Sequence, residues 1–149
     1  MTPPSTMEVG KPLPSVQLVT LDGQAVDPSA WTGKIVVLHL WEMHDRKFFP
    51  AIQQLAEKFK DEPRIQIVNV GMEMLPAWAK HIDAKDHLPG LLALDKDSSE
   101  LNMRATYTDY PWMIQGLPYV LILDTQGNVT ARVSDVADLP AAVDKAVAK

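Results

Sequence analysis

The sequence predicts a single α/β domain, a mixed β-sheet with helices on both faces, in the order ββαβαβαββα. Three observations predict it. Apolar runs of strand length alternate with segments whose apolar residues recur every three or four positions. One run, Ile35 to Trp41, is apolar on both faces except at His39, which suits a central strand covered on both sides. Two glycine-containing turns, Leu21-Asp22-Gly23-Gln24 and Asp124-Thr125-Gln126-Gly127-Asn128, predict hairpins near both ends of the chain.

Residues 1–12 are rich in Pro, Thr and Ser and predict a flexible lead-in, with the folded domain over 13–149. Val16-Gln17-Leu18-Val19 is the first strand and runs into the first hairpin turn. Ile35 to Trp41 is the central strand. Phe48, Ile52, Leu55 and Phe59 then fall at helical spacing, with Gln53, Glu57, Lys58 and Lys60 on the other face. His44 or Asp45 is expected to start that helix, with Pro50 in its first turns. Arg64 to Val70 returns to strand character. Pro76 to Ile82 predicts a short helix, Leu91 to Leu94 a buried strand, and Ser98 to Arg104 a short helix capped by Ser98 or Ser99. Residues 105–116 form an aromatic-rich connection. Tyr119 to Asp124 and Val129 to Val133 are the closing hairpin, and Asp138 to Ala148 the last helix.

Composition excludes several classes of function. A net charge of −5, with no basic cluster longer than Arg46-Lys47, argues against nucleic acid, whose phosphates need grouped cations. No apolar run reaches the ~18–20 residues of a membrane helix. The opening MTPPSTMEVG lacks the apolar core of a signal peptide. The chain has no cysteine, which removes disulfides, thiolate metal sites and thiol nucleophiles together.

Four local phrases, in this order, carry a resemblance. They are VGKPLPSVQLVTLDGQAV, GKIVVLHLW, FFPAIQQLAEKF and GLPYVLILDTQGNVTARV. Together they resemble the thioredoxin-like superfamily, in particular its TlpA/ResA-type thiol-disulfide oxidoreductases near the AhpC/TSA redoxins, over roughly residues 9 to 148. The resemblance implies a three-layer α/β/α fold with a mixed central sheet and an N-terminal β-hairpin extension. It also implies a periplasmic or extracytoplasmic setting. The departure lies at the chemistry, where the family carries W-x-x-W-C-x-x-C between central strand and helix. Counting back from Pro50 puts Glu42 and Asp45 at the two cysteine positions. Counting forward from Gly33 puts Trp41 at the first tryptophan and leaves the loop about three residues short. The better strand match favours the shortened loop.

Without a thiol, neither disulfide exchange nor peroxide reduction through a sulfenic acid is open to this chain. The expectation is therefore a redox-inactive thioredoxin-like domain that binds an extended peptide or a partner protein, with no cofactor. Its candidate binding face begins at the strand-helix junction with Trp41, Glu42, Met43, His44 and Asp45. Tyr110 and Trp112 join it from the aromatic connection, where Tyr107 and Met113 also lie. Leu117, Pro118 and Tyr119 complete it, because Gly116-Leu117-Pro118 matches the family's cis-proline loop, beside which extended substrates pair. Glu42 and Asp45 also suit the role of helix caps. Two alternatives stay open. Methionine and histidine suit copper, with Met43 and His44, Met72 and Met74, and His81 or His87 as candidates. A hydrolase would use Glu42, His44 and Asp45, although three adjacent polar residues do not define a triad. His39, inside a buried strand, reads as a hydrogen-bonded core histidine.

Overall fold

The structure is a computed structural model and describes residues 9–12, 18–41, 46–72, 76–95 and 119–148. Among the described residues, seven strands form one sheet: β1 (Leu18–Thr20), β2 (Ala25–Val26), β3 (Ile35–Trp41), β4 (Ile65–Gly71), β5 (Leu91–Asp95), β6 (Tyr119–Leu123) and β7 (Val129–Val133). Three α-helices occur among the described residues: α1 (Phe49–Lys58), α2 (Pro76–Asp86) and α3 (Leu139–Val147). The strand order is β2-β1-β5-β4-β3-β6-β7. β3, β4 and β5 are parallel, and every other pairing is antiparallel.

The two parallel crossovers explain the layering. β3-α1-β4 and β4-α2-β5 step in the same direction across the sheet, so right-handed connections place α1 and α2 on one face. Ile35, Val37, Val120 and Ile122 pack there against Ile52 and Leu55 of α1 and Val143 of α3. Trp41 and Leu94 meet Ala79 and Ile82 of α2 on that face. Val36, Leu38, Leu40, Val68, Val70 and Leu121 form the core of the opposite face, joined by Trp31 from the short 3-10 helix Pro28–Trp31. The helix expected over Ser98 to Arg104 lies outside the described residues.

Several boundaries differ from expectation. α1 starts at Phe49, with Phe48 rather than His44 or Asp45 at the N-cap position and no side-chain cap. A turn precedes it, in which the Phe49 N–H donates to the Arg46 carbonyl at 3.0 Å. Pro50 explains this start, since a proline in the first turn needs no N–H partner and already has helical φ. α2 runs a turn beyond Ile82 and stops at His87, which has φ 55°. The Asp83 carboxylate accepts from the Leu88 N–H there at 2.9 Å, which turns the chain toward β5.

Both hairpins form where their turns predicted. In the first, β1 pairs β2 with Leu18 opposite Val26. In the second, the Asp124 carboxylate accepts from the N–H groups of Gln126 and Asn128 at 2.9 and 3.0 Å. The end of the lead-in is also tied to this hairpin. The Gly10 N–H donates to the Val129 carbonyl at 2.7 Å, the Val129 N–H donates to the Lys11 carbonyl at 2.8 Å, and Pro12 sits opposite Asn128.

Candidate functional site

β3 ends at Trp41, and the junction to α1 follows. Leu40 lies opposite Tyr119 in the antiparallel β3–β6 pair, so the chain leaves β3 and enters β6 at the same end of the sheet. In sequence, Glu42 to Asp45 follow β3, and Leu117 and Pro118 precede β6. Glu42, Met43, His44, Asp45, Tyr110, Trp112, Leu117 and Pro118 themselves lie outside the described residues, as do Tyr107 and Met113.

Trp41 and Tyr119 are described, and both are fully buried. They sit on opposite faces of the sheet. Trp41 belongs to the cluster under α2, and Tyr119 to the cluster that includes Leu40 and Leu121. The Trp41 indole meets the Phe49 ring edge-on at 5.1 Å. Burial pushes the Tyr119 phenol well above its ordinary pKa, with Arg132 acting against that rise and Asp95 adding to it. Tyr119 is therefore a neutral phenol at physiological pH. Both residues pack within the end of the sheet.

Behind the junction lies a polar pair in an apolar setting. His39 is fully buried, and its Nδ1 lies 2.9 Å from Oδ1 of Asn69, the residue opposite it on β4. The Asn69 amide donates onward to the Pro89 carbonyl at 2.6 Å and reaches that of Leu91 at 3.4 Å. With the amide nitrogen so committed, Oδ1 must accept, and His39 carries its proton on Nδ1. Phe48 and Phe49 meet the imidazole edge-on at 6.0 and 5.6 Å. Burial lowers the His39 pKa from 6.5 to about 4, and the Asn69 contact works against that fall. Among the described residues, Nε2 of His39 and Nε1 of Trp41 have no hydrogen-bond partner. His39 is thus the core histidine its strand implied. Sequence reasoning missed Asn69, although it is the polar residue within the strand Ile65 to Val70 that falls in register with His39.

The structure does not bring the describable copper candidates together. Met72 is buried in the cluster with Leu38 and Val70 on one face of the sheet. His81 and His87 are exposed, on and just after α2, which packs on the other face. Met74 lies outside the described residues. Among the described residues no group of His, Asp and Glu is arranged to hold a metal ion.

No family model and no curated protein matches this sequence. Solved structures do match in fold. A thiol-disulfide oxidoreductase from Bacteroides fragilis superposes with a TM-score of 0.75 at 16% identity, over 91% of this chain and 98% of its own. A thiol:disulfide interchange protein from a Bacteroides species has a TM-score of 0.75 at 23% identity, over 95% of this chain and 91% of its own. The thioredoxin domain of a thiol-disulfide oxidoreductase from Bacteroides vulgatus has a TM-score of 0.75 at 22% identity, over 93% and 96%. The chain therefore has the thioredoxin-like fold of these thiol-disulfide oxidoreductases, and it has that fold without a single cysteine.

Proposed function

We propose that this is a redox-inactive thioredoxin-like domain that binds an extended peptide or a partner protein at the junction end of β3 and β6. One observation carries the reading. The fold of thiol-disulfide oxidoreductases covers more than nine-tenths of the chain, while the sulfur their chemistry needs is absent. A fold can outlast its original reaction, and what then remains useful is its surface. The buried Trp41 and Tyr119 give that surface a rigid base, and the segments holding Glu42 to Asp45, Tyr110, Trp112, Leu117 and Pro118 supply its contacts. An extracytoplasmic or periplasmic setting goes with this reading.

Native mass spectrometry of protein recovered from its own host tests it. The expected spectrum holds a peptide or protein adduct that a Pro118→Ala variant loses, with insulin disulfide reduction at the uncatalysed rate. A copper or zinc adduct lost in a Met43→Ala/His44→Ala variant would replace this reading with the metal one. Turnover of insulin disulfides would overturn it.

A further inference from the structure

Beside the junction, α2 presents a second feature. Trp78 is 49% exposed, although tryptophan is costly to leave in water. Trp78, His81, Ile82 and Lys85 follow one another at helical spacing along α2, and with Arg46 they line a cleft of about 220 Å³. Ile82 is buried and forms the apolar floor. Arg46 enters from the turn before α1, directly after the candidate junction residues. Its Nη1 lies 2.8 Å from the Asp86 carboxylate. Gln53 of α1 donates to the Asp86 backbone carbonyl, so two contacts clamp the end of α2 to the start of α1. The cleft is therefore built between α2 and the turn before α1.

Its size and charge restrict what fits. The volume is below the ~300–1,000 Å³ of small-molecule pockets, so it suits one projecting side chain. Lys85 makes no ion pair among the described residues, and the Arg46 guanidinium has donors beyond the one given to Asp86. The two acids on this part of α2 are engaged: Asp86 with Arg46, and Asp83 with the Leu88 N–H. In a chain of net charge −5, the cleft lining carries Arg46 and Lys85 and no acidic side chain, beside an exposed indole. Tryptophan and arginine together are the residues that dominate binding energy at protein interfaces.

We propose that the Arg46–Trp78–Lys85 cleft receives a Glu or Asp side chain of an extended partner segment, with a neighbouring apolar residue of that segment lying over Trp78. This rests on the partner-binding reading and gives its partner a chemistry. The carboxylate meets Lys85 and the outer donors of Arg46, as charge-assisted hydrogen bonds require.

The test titrates ¹⁵N-labelled full-length protein with three blocked hexapeptides that differ at one position. Each carries phenylalanine followed by glutamate, glutamine or lysine. The glutamate peptide should bind about tenfold more tightly than the glutamine one, shift the amides of Trp78 to Lys85, and weaken in high salt. Lys85→Glu should reverse the preference between the glutamate and lysine peptides, and Trp78→Ala should weaken both. Lys85 and Trp78 are exposed, so both variants keep the fold. Binding that shifts only the start of β6, without charge preference, would overturn the cleft and leave the partner reading standing. Shifts at α2 alone would support the cleft and remove the junction from the reading. No shift from any peptide at millimolar concentration would overturn both.

Discussion

The imidazole of His39 and the side-chain amide of Asn69 are joined at 2.9 Å across adjacent parallel strands, with neither residue touching solvent. Burial of the imidazole makes stability depend on pH, and the Asn69 contact opposes that effect. The unfolded chain binds a proton near pH 6.5, and the folded protein refuses it until about pH 4. Between those values the unfolded state holds more protons, so stability is full above pH 6.5 and falls as pH drops toward 4. The complete loss is about 3 kcal/mol. Urea unfolding at pH 7, 6 and 5 should show it. A His39→Phe variant should have a flatter profile over the same range, and an unchanged slope would remove His39 as its source.

Asn69→Ala removes more than one contact. It strips the acceptor from the buried His39 and the donor from the part-buried Pro89 carbonyl. The expected loss is about 2–4 kcal/mol, read as a lower midpoint of chemical denaturation.

Gly90 is expected to resist every substitution. It has φ +86°, and a Cβ there would run into the backbone carbonyl of Ile67 and lie 2.9 Å from its Cβ. Backbone strain and clash act together, so Gly90→Ala should cost about 2–4 kcal/mol. A thermal melt within a degree of the parent would contradict this close approach of β5 to β4.

Ile52 lies in α1 with no exposed surface, packed within the cluster that holds Val37 and Ile122. Ile52→Ala should lower stability by about 2–5 kcal/mol. By contrast, the Lys58–Asp144 pair between α1 and α3 is 2.8 Å long, but each side chain is 53% exposed. A double-mutant cycle there should return under about 1 kcal/mol. The two measurements together say whether burial or surface charge holds α1 in place.

Much of the fold was legible because its signals are local. The Ile35 to Trp41 run could only be a central strand, and the spacing of Ile52, Leu55 and Phe59 could only suit a helix. The start of α1 was less legible. Polar residues at 44 and 45 suggested a cap, whereas Pro50 and the turn from Arg46 decide the boundary. Of the candidate site, sequence named Trp41 and Tyr119 as part of a binding face, and the structure buries both. Which face a strand residue points to depends on register, and register is set by partners far along the chain. Trp78 escaped notice for a related reason. In sequence it is one apolar residue of a helix that also carries Ala79 and Ile82, and only packing shows that it turns outward.

The pairing of Gly10 to Pro12 along Asn128 and Val129 bears on how the molecule behaves among copies of itself. β7 is an outermost strand, and such strands invite pairing with another chain, which leads to aggregation. Gly10 and Lys11 already occupy the N–H and C=O of Val129, and Pro12 has no N–H to offer a newcomer. The lead-in thus serves as a guard against edge-to-edge association. A form beginning after Pro12 would keep its core but present Val129 bare, and sedimentation should show it self-associating at concentrations where the longer chain does not.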